Sequence, residues 1–374
     1  MKVMHPDLDL DRCRERQRWM LDALADAKAD AAVLVSPENV QYLTGFRPHR
    51  LMAAMVALSP DGRCLLVAPN APPERAATDD VFSFPAQLHA TLQQDQIALA
   101  AGVLADACGQ LSNVRNIAVE FSQFPPHLQR SLRLKPQNFI DIERALWQRR
   151  RRKDDDELLM IRHAIACTDA MYTRAREIIE PGITELEVFN QLHAAAVSVA
   201  GEPLTALGND YQCNSPGGPP RSRAAQAGEL FILDLGPACR GYYADNCRTF
   251  SVDRRPTDAQ MRAWEIIVAT LAMVEQTVRP GLSCRELFDR AQAMLDEYRR
   301  GSFCHHLGHG FGLFPHEAPH LNPHWDDAFE EGDVFTAEPG LYGPELKAGI
   351  RLEENYRVTA DGVERLTTFP LELS

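Results

Sequence analysis

The chain has 374 residues, 45% of them hydrophobic, 24% charged and 7% aromatic. That length is more than one core normally serves and that composition is ordinary for a globular protein, so two domains are expected and a fibrous or disordered chain is excluded. A formal net charge of -13 argues against general attraction to nucleic acid or anionic membrane, and leaves a small molecule or peptide as the expected ligand.

No run of about 18 apolar residues occurs, and the stretch Met1-Lys2-Val3-Met4-His5-Pro6 lacks the apolar core of a signal peptide, so a cytoplasmic protein is expected. The nine cysteines are scattered and never spaced as Cys-x-x-Cys. They are expected to be reduced and mostly buried, Cys247 and Cys304 included, with packing roles. From Asp9 to about Asp30 the pattern is helical, and residues 31–36, 53–58, 64–68 and 117–121 read as short apolar strands separated by helical stretches. That alternation predicts an N-terminal α/β domain over residues 1–147. The basic run Arg149–Lys153, followed by Asp154, Asp155, Asp156 and Glu157, reads as a solvated linker over 148–157 that enters a helix through its acidic end. Residues 158–374 form the second domain.

That second domain contains a repeat. Pro181-Gly182-Ile183-Thr184-Glu185-Leu186-Glu187 recurs as Pro280-Gly281-Leu282-Ser283-Cys284-Arg285-Glu286. In each copy a Ser or Thr and a Glu three residues later form a capping box that opens a helix. Two copies in one register predict two related helix-plus-sheet halves.

Each half is then predicted to run into a strand pair carrying two acids. In the first, Asp234 and Asp245 flank a turn; centred between Cys239 and Arg240, it would set them directly opposite one another. In the second, Glu338 and Glu353 are opposed if the turn is centred between Glu345 and Leu346. Acids in apolar strands are costly and opposed like charges are worse, and a shared cation removes both objections. Between the hairpins lies a cluster holding half of the chain's twelve histidines, including His305, His306, His309 and His316. Clustering favours ligand or acid–base roles there, with His306, His320 and His324 read as bystanders. Four carboxylates and one imidazole make a hard, oxygen-rich site suited to two divalent ions, manganese before cobalt, zinc or iron, with Asp245 and Glu353 as bridges.

These residues resemble the creatinase, prolidase and aminopeptidase P family. The matching motifs are His-x-x-Gly-His-Gly at 305–310, Phe-Thr-Ala-Glu-Pro-Gly at 335–340, Gly-Ile-Arg-Leu-Glu at 349–353 and, more weakly, Ser-Pro-Glu-Asn-Val-Gln-Tyr-Leu-Thr-Gly-Phe at 36–46. The resemblance implies an α+β pita-bread catalytic domain with an internal pseudo-twofold repeat, behind a smaller creatinase-like N-terminal domain. It implies Asp234, Asp245, His309, Glu338 and Glu353 as metal ligands, Glu338 handling the proton of the attacking water, His305 and His316 beside the scissile group, and Arg351 orienting ligands from behind. A homodimer, with the N-terminal domain shaping a neighbour's pocket, is implied too.

One position departs from the family. Its peptidases carry a further active-site His about 17 residues before the first Asp ligand, and counting back from Asp234 reaches Gly217. The expected activity is therefore hydrolysis of peptides or peptide-like amides, of Xaa-Pro type, with reduced cleavage of standard Xaa-Pro peptides and a gain when His is restored at 217. A metalloenzyme of this fold acting on a small non-peptide compound, as amidohydrolase or lyase, is the alternative, followed by a non-catalytic binding protein.

Overall fold

The computed structural model describes residues 5–107, 114–124, 126–208 and 210–373. By internal contacts the chain divides into two units that meet in sequence between Arg149 and Arg150.

The first unit begins with α1 (Leu10–Ala27), capped by the Asp9 carboxylate and closed by Lys28 in the left-handed region. It continues with β1 (Ala31–Leu34), α2 (Pro37–Thr44), β2 (Met55–Leu58), β3 (Cys64–Pro69), β4 (Asp80–Phe84), the short pair β5 (Gln87–Leu88) and β6 (Thr91–Leu92), α3 (Gln96–Ala107), β7 (Ile117–Val119), α4 (Pro126–Leu132), β8 (Phe139–Asp141) and α5 (Glu143–Arg150). Six of these strands make one mixed sheet in the order β4-β3-β2-β1-β7-β8. The four strands legible as apolar runs are there. β4 and β8 give no apolar run because both mix polar with apolar residues and are only partly buried. Val33, Met55, Leu65, Val67, Leu104 and Ile117 form the core between sheet and helices.

The basic run is not a solvated linker. Arg151 is 3% exposed and its guanidinium pairs with the buried carboxylate of Asp333 at 2.6 Å. Arg150 and Lys153, 7% and 4% exposed, both reach Glu317. Burying such cations costs several kcal/mol each unless they are paired, and here they are paired with acids more than 160 residues away, which no local reading of charge reveals. The acidic half of the run does open a helix, α6 (Asp155–Ile178), through a capping box of Asp154 and Glu157.

In the second unit α6 and α7 (Glu185–Ala200) precede β9 (Asp210–Cys213), β10 (Leu230–Leu235), the tight hairpin β11 (Ala238–Cys239) and β12 (Tyr242–Tyr243), and β13 (Asn246–Ser251). Next come α8 (Asp258–Thr277), α9 (Cys284–Asp296), β14 (Gly308–Gly310), β15 (Glu317–Leu321), β16 (Val334–Ala337), β17 (Gly340–Gly343), β18 (Ala348–Arg351), β19 (Glu354–Val358) and β20 (Val363–Arg365). The sheet order β13-β10-β9 is repeated by β19-β16-β14 inside a five-stranded sheet. The repeat extends to single hydrogen bonds. Gly182 N–H donates to Ala225 C=O, Ala225 N–H to Ile183 C=O and Glu185 N–H to Arg223 C=O; in the second half Gly281, Phe329 and Cys284 donate to Phe329, Leu282 and Asp327 in the same pattern. Leu230, Ile267, Leu271, Leu287, Phe335, Leu352 and Tyr356 belong to the core behind these strands.

The two helix starts are not equal. Thr184 and Glu187 form both bonds of their box. Ser283 accepts from Glu286 N–H, but the Glu286 carboxylate is engaged by Arg290 one turn on. All described cysteines are free, and all but Cys304 are buried, so the packing role expected for Cys304 does not hold. Among the described residues no helix is long and apolar enough to cross a membrane.

Candidate metal centre

The two acidic hairpins meet where the half-sheets face each other. In the second hairpin the expected register is the one found: Ala337 pairs with Glu354 and Gly340 with Arg351, so Glu338 and Glu353 fall opposite one another in the gap between two short ladders. The first hairpin differs. Asp234 pairs with Cys247 and Leu235 with Asn246, and the turn is centred between Arg240 and Gly241 rather than one residue earlier. Asp245 therefore lies two residues before the partner of Asp234. A shift of two leaves the side chain on the same face, so Asp245 still joins the cluster.

The charges are very unevenly compensated. Asp234 Oδ2 accepts from the Arg351 guanidinium at 2.8 Å. Glu338 Oε1 is 2.7 Å from His306 Nε2. Glu353 Oε1 accepts only from the Thr336 hydroxyl, while its Oε2 is buried with no hydrogen-bond partner. Burial raises Asp234 to about 6, against the pull of Arg351. It raises Asp245 and Glu353 well above the carboxylate range, and there the neighbouring acids add to the effect. Glu338 goes the other way: burial pushes it up, but the His306 hydrogen bond and the surrounding imidazoles outweigh this and hold it at about 2. The acids without a protein cation are thus the ones whose ionisation is most strongly opposed, and they lack a positive charge that the described residues do not supply. Oxygens of Asp234, Glu338 and Glu353 lie within 4.8 Å of one another, close enough to share an ion.

His309 stands against this group from β14. Its Nε2 is 3.6 Å from both Asp245 and Glu338, and its Nδ1 is 3.0 Å from the Gly310 carbonyl. That arrangement places a proton on Nδ1 and leaves Nε2 as a donor atom, with burial holding the ring neutral by lowering it to about 3. Gly308 and Gly310 are required here, since a Cβ on either would collide with the backbone of Thr336 or Ala318. His316 stacks on His309 with ring centroids 3.7 Å apart and is exposed to solvent. His305 Nε2 is 2.9 Å from the Tyr342 hydroxyl, and burial lowers it to about 4.

Not every expectation about individual residues holds. His306, read as a bystander, touches Glu338 directly. His320 is engaged by Asp327 at 2.7 Å, as a bystander should be. Arg351 does more than face the cluster: besides Asp234 it binds Asp210, the Tyr342 hydroxyl at 3.1 Å and the Pro216 carbonyl at 3.2 Å. Asp210 and Tyr342 were not singled out: Asp210 lies in no marked motif, and Tyr342, two residues past the Phe-Thr-Ala-Glu-Pro-Gly motif, is an aromatic in a strand, which reads as packing. Asp210 is nonetheless the β9 residue directly opposite Asp234. It also answers the question posed by Gly217. A Cβ at 217 would lie 2.7 Å from the carboxyl carbon of Asp210, and Gly218 N–H donates to Asp210 Oδ1 at 2.6 Å. Position 217 does face the cluster, but the space its side chain would enter is filled by Asp210.

Comparison with known proteins places the chain in a family. Residues 160–360 match metallopeptidase family M24, and residues 16–151 match the creatinase/prolidase N-terminal domain. The chain belongs to metallopeptidase family M24 and is a metal-dependent peptidase by class. It is 25% identical over 371 residues to the Xaa-Pro dipeptidase of Pyrococcus horikoshii, covering 97% of this chain and 100% of that protein. To an uncharacterized peptidase of Staphylococcus aureus (strain COL) it is 27% identical over 360 residues, 94% of this chain and 98% of the other. Among solved structures, the prolidase from Pyrococcus horikoshii superposes with a TM-score of 0.81 at 24% identity, over 96% of this chain and 100% of that one. The Xaa-Pro dipeptidase from Bacillus anthracis does so with a TM-score of 0.79 at 25% identity, over 98% and 99%. The fold is the pita-bread fold behind a creatinase-like N-terminal domain.

Proposed function

We propose that the chain hydrolyses short peptides or peptide-like amides, with Xaa-Pro peptides as the leading substrate class, at a centre of two divalent ions held by Asp234, Asp245, His309, Glu338 and Glu353. The observation that carries this reading is the uncompensated pair: Glu353 is buried and Asp245 partly so, both repel their neighbouring acids, and one oxygen of Glu353 has no hydrogen-bond partner among the described residues. Those two would be the residues most in need of the ions' charge. The donor set, four carboxylates and one neutral imidazole, favours manganese. Bound there, the ions supply Lewis-acid polarisation of the scissile carbonyl and a lowered pKa for water.

The remaining work falls to side chains. Glu338, ionised at neutral pH, accepts the proton of the attacking water, and His306 at 2.7 Å is placed to share it. His316, solvent-open beside His309, and His305, steadied by Tyr342, supply hydrogen bonds to the substrate carbonyl as negative charge develops on it. Arg351 holds Asp234 in place through a guanidinium braced at Tyr342 and Pro216. Asp210 at the position of the missing imidazole supports a second reading, in which the same centre acts on a small non-peptide compound.

Metal-stripped protein reloaded with manganese and assayed against Xaa-Pro dipeptides, longer Xaa-Pro peptides and small amides separates the two. Manganese-dependent cleavage of the peptides is the expected result, slower than the median enzyme turnover of about 10 per second. Turnover of small amides alone moves the assignment to the second reading. Failure of the folded protein to take up metal removes both.

A further inference from the structure

A second group of donors, sharing no residue with the carboxylate centre, lies where α6 meets the β11–β12 hairpin. His163 and Cys167 are four residues apart on α6 and so project from one helix face. Cys239, at the end of β11, brings its Sγ to 3.6 Å from that of Cys167. The three donor atoms all lie within 4.8 Å of one another, and both cysteines are buried, at 0% and 2% exposure. We propose that His163, Cys167 and Cys239 form a structural site for a soft divalent cation, zinc above all.

The spacing fits that ion. Bonds of about 2.3 Å to sulfur and about 2.0 Å to nitrogen in a tetrahedral shell place neighbouring ligand atoms roughly 3.5–3.8 Å apart. Two buried thiols in contact would by themselves be ordinary packing. The imidazole is what packing does not require. Its nitrogen lies within 4.8 Å of both sulfurs, which sets a donor of a second kind beside the thiols.

The groups around the site are His5, Glu202 and Arg240. Arg240 is taken up by Glu202 at 2.7 Å. The His5 ring packs edge-on to His163 with centroids 6.3 Å apart, and its Nδ1 is buried without a hydrogen-bond partner. It is the nearest candidate for a fourth ligand. The position of Cys239 gives the site its purpose. It lies in the connection between Asp234 and Asp245, so an ion tying Cys239 to α6 fixes the turn that sets the spacing of those two acids.

Cobalt separates this site from the carboxylate centre, because only thiolate ligands give a sulfur-to-cobalt charge-transfer band. The test uses the full chain, reduced, in a Cys304→Ala background that removes the thiol exposed among the described residues, stripped of metal and refilled with cobalt or zinc. The expected result is that band, displaced by zinc, and one zinc ion per chain lost in each of Cys167→Ser and Cys239→Ser. His163→Ala should weaken zinc binding by at least the roughly ten- to hundredfold that even a residue merely orienting a ligand is worth. Absence of the band in the reduced parent overturns the proposal, as does its survival in both Ser variants. Loss of two titratable thiols on mild oxidation with no metal uptake would show a redox pair instead.

Discussion

The two halves of the catalytic unit share a backbone plan and differ in what they hang on it. If Phe231 and Phe335 are taken as equivalent, Asp234 and Glu338 each follow by three residues and coincide. On the return strands Phe231 pairs with Phe250 and Phe335 with Tyr356, so the counterpart of Glu353 is not Asp245 but Cys247. The two counterparts meet, Glu353 N–H donating to Cys247 C=O at 3.0 Å. The first half has moved its second acid two residues along the strand, keeping the face and changing the depth. On the neighbouring strand Phe231 pairs with Cys213 and Phe335 with Gly310, so the counterpart of His309 is Gln212. The first half thus gives only carboxylates, and the imidazoles all come from the second. A repeat built for symmetry has been made into an asymmetric site by substitution at equivalent places.

The largest effect expected from breaking this arrangement comes from Glu353→Gln. It should lower activity by about three orders of magnitude or more, the several kcal/mol that a metal supplies to a transition state. It should also do something a merely damaged site would not. In the metal-free chain Asp234 is raised to about 6, and Asp245 and Glu353 are raised further. Groups raised on folding contribute stability that is full below their ordinary values and lost as pH rises through their folded ones. Glu338, held at about 2, contributes in the opposite sense, and that contribution is lost only in strong acid. His305 and His309, lowered by burial to about 4 and about 3, gain stability as pH rises towards the ordinary imidazole value of about 6.5 and offset the acids below it. Metal-free protein should therefore melt at falling temperature as pH rises from about 6.5 to about 8, and manganese should remove the slope. Glu353→Gln should flatten it without metal. An unchanged slope in that variant would disconnect the acids from the stability of the fold.

Much of this was legible because metal sites need their chemistry in the chain itself. The acids in apolar strands, the glycines at 308 and 310 and the repeated cap all mark the plan before any coordinates exist. The long-range consequences were not legible. Arg151 and Asp333 are 182 positions apart, so a buried ion pair reads in sequence as a solvated basic run. The turn in the first hairpin is displaced by one residue, and its signal is Gly241: Arg240 and Gly241 have φ of 46° and 90°, the pair of left-handed residues that a two-residue hairpin loop requires and that glycine favours. Asp210 sits in a stretch without periodicity, and its role appears only when β9 is paired with β10.

That residue sharpens the expectation for Gly217. Restoring His at 217 is expected to help Xaa-Pro cleavage, but Asp210 occupies the space and is bound to Arg351. Gly217→His alone should displace that carboxylate and lower activity. Combined with Asp210→Ser, which empties the space, it should raise the rate on Xaa-Pro dipeptides by about ten- to a hundredfold, the worth of one hydrogen bond of about 1–3 kcal/mol. Metal content should stay the same in both. A gain from Gly217→His by itself would mean that Asp210 yields freely and does not define the pocket.

The smallest effect tests the repeat where it is most alike. Thr184 and Ser283 open corresponding helices at corresponding backbone contacts, yet only the first has a complete capping box. Thr184 Oγ1 accepts from Glu187 N–H at 3.2 Å, and the Glu187 carboxylate returns to Thr184 N–H at 2.9 Å and to its hydroxyl at 2.7 Å. In the second half the Ser283 bond is 3.4 Å and Glu286 is turned to Arg290. Replacing a cap by Ala costs about 0.5–2 kcal/mol. Thr184→Ala removes the hydroxyl from both of its bonds and leaves Glu187 held by one, so it should fall near the upper end. Ser283→Ala removes one long bond from a helix whose Glu is already engaged elsewhere, and should fall near the lower end. Chemical denaturation of the two variants gives the difference directly, with activity unchanged in both since neither residue touches the centre. Equal losses would show that the long Ser283 bond is as strong as the closed box, and that the halves diverge only at the metal centre.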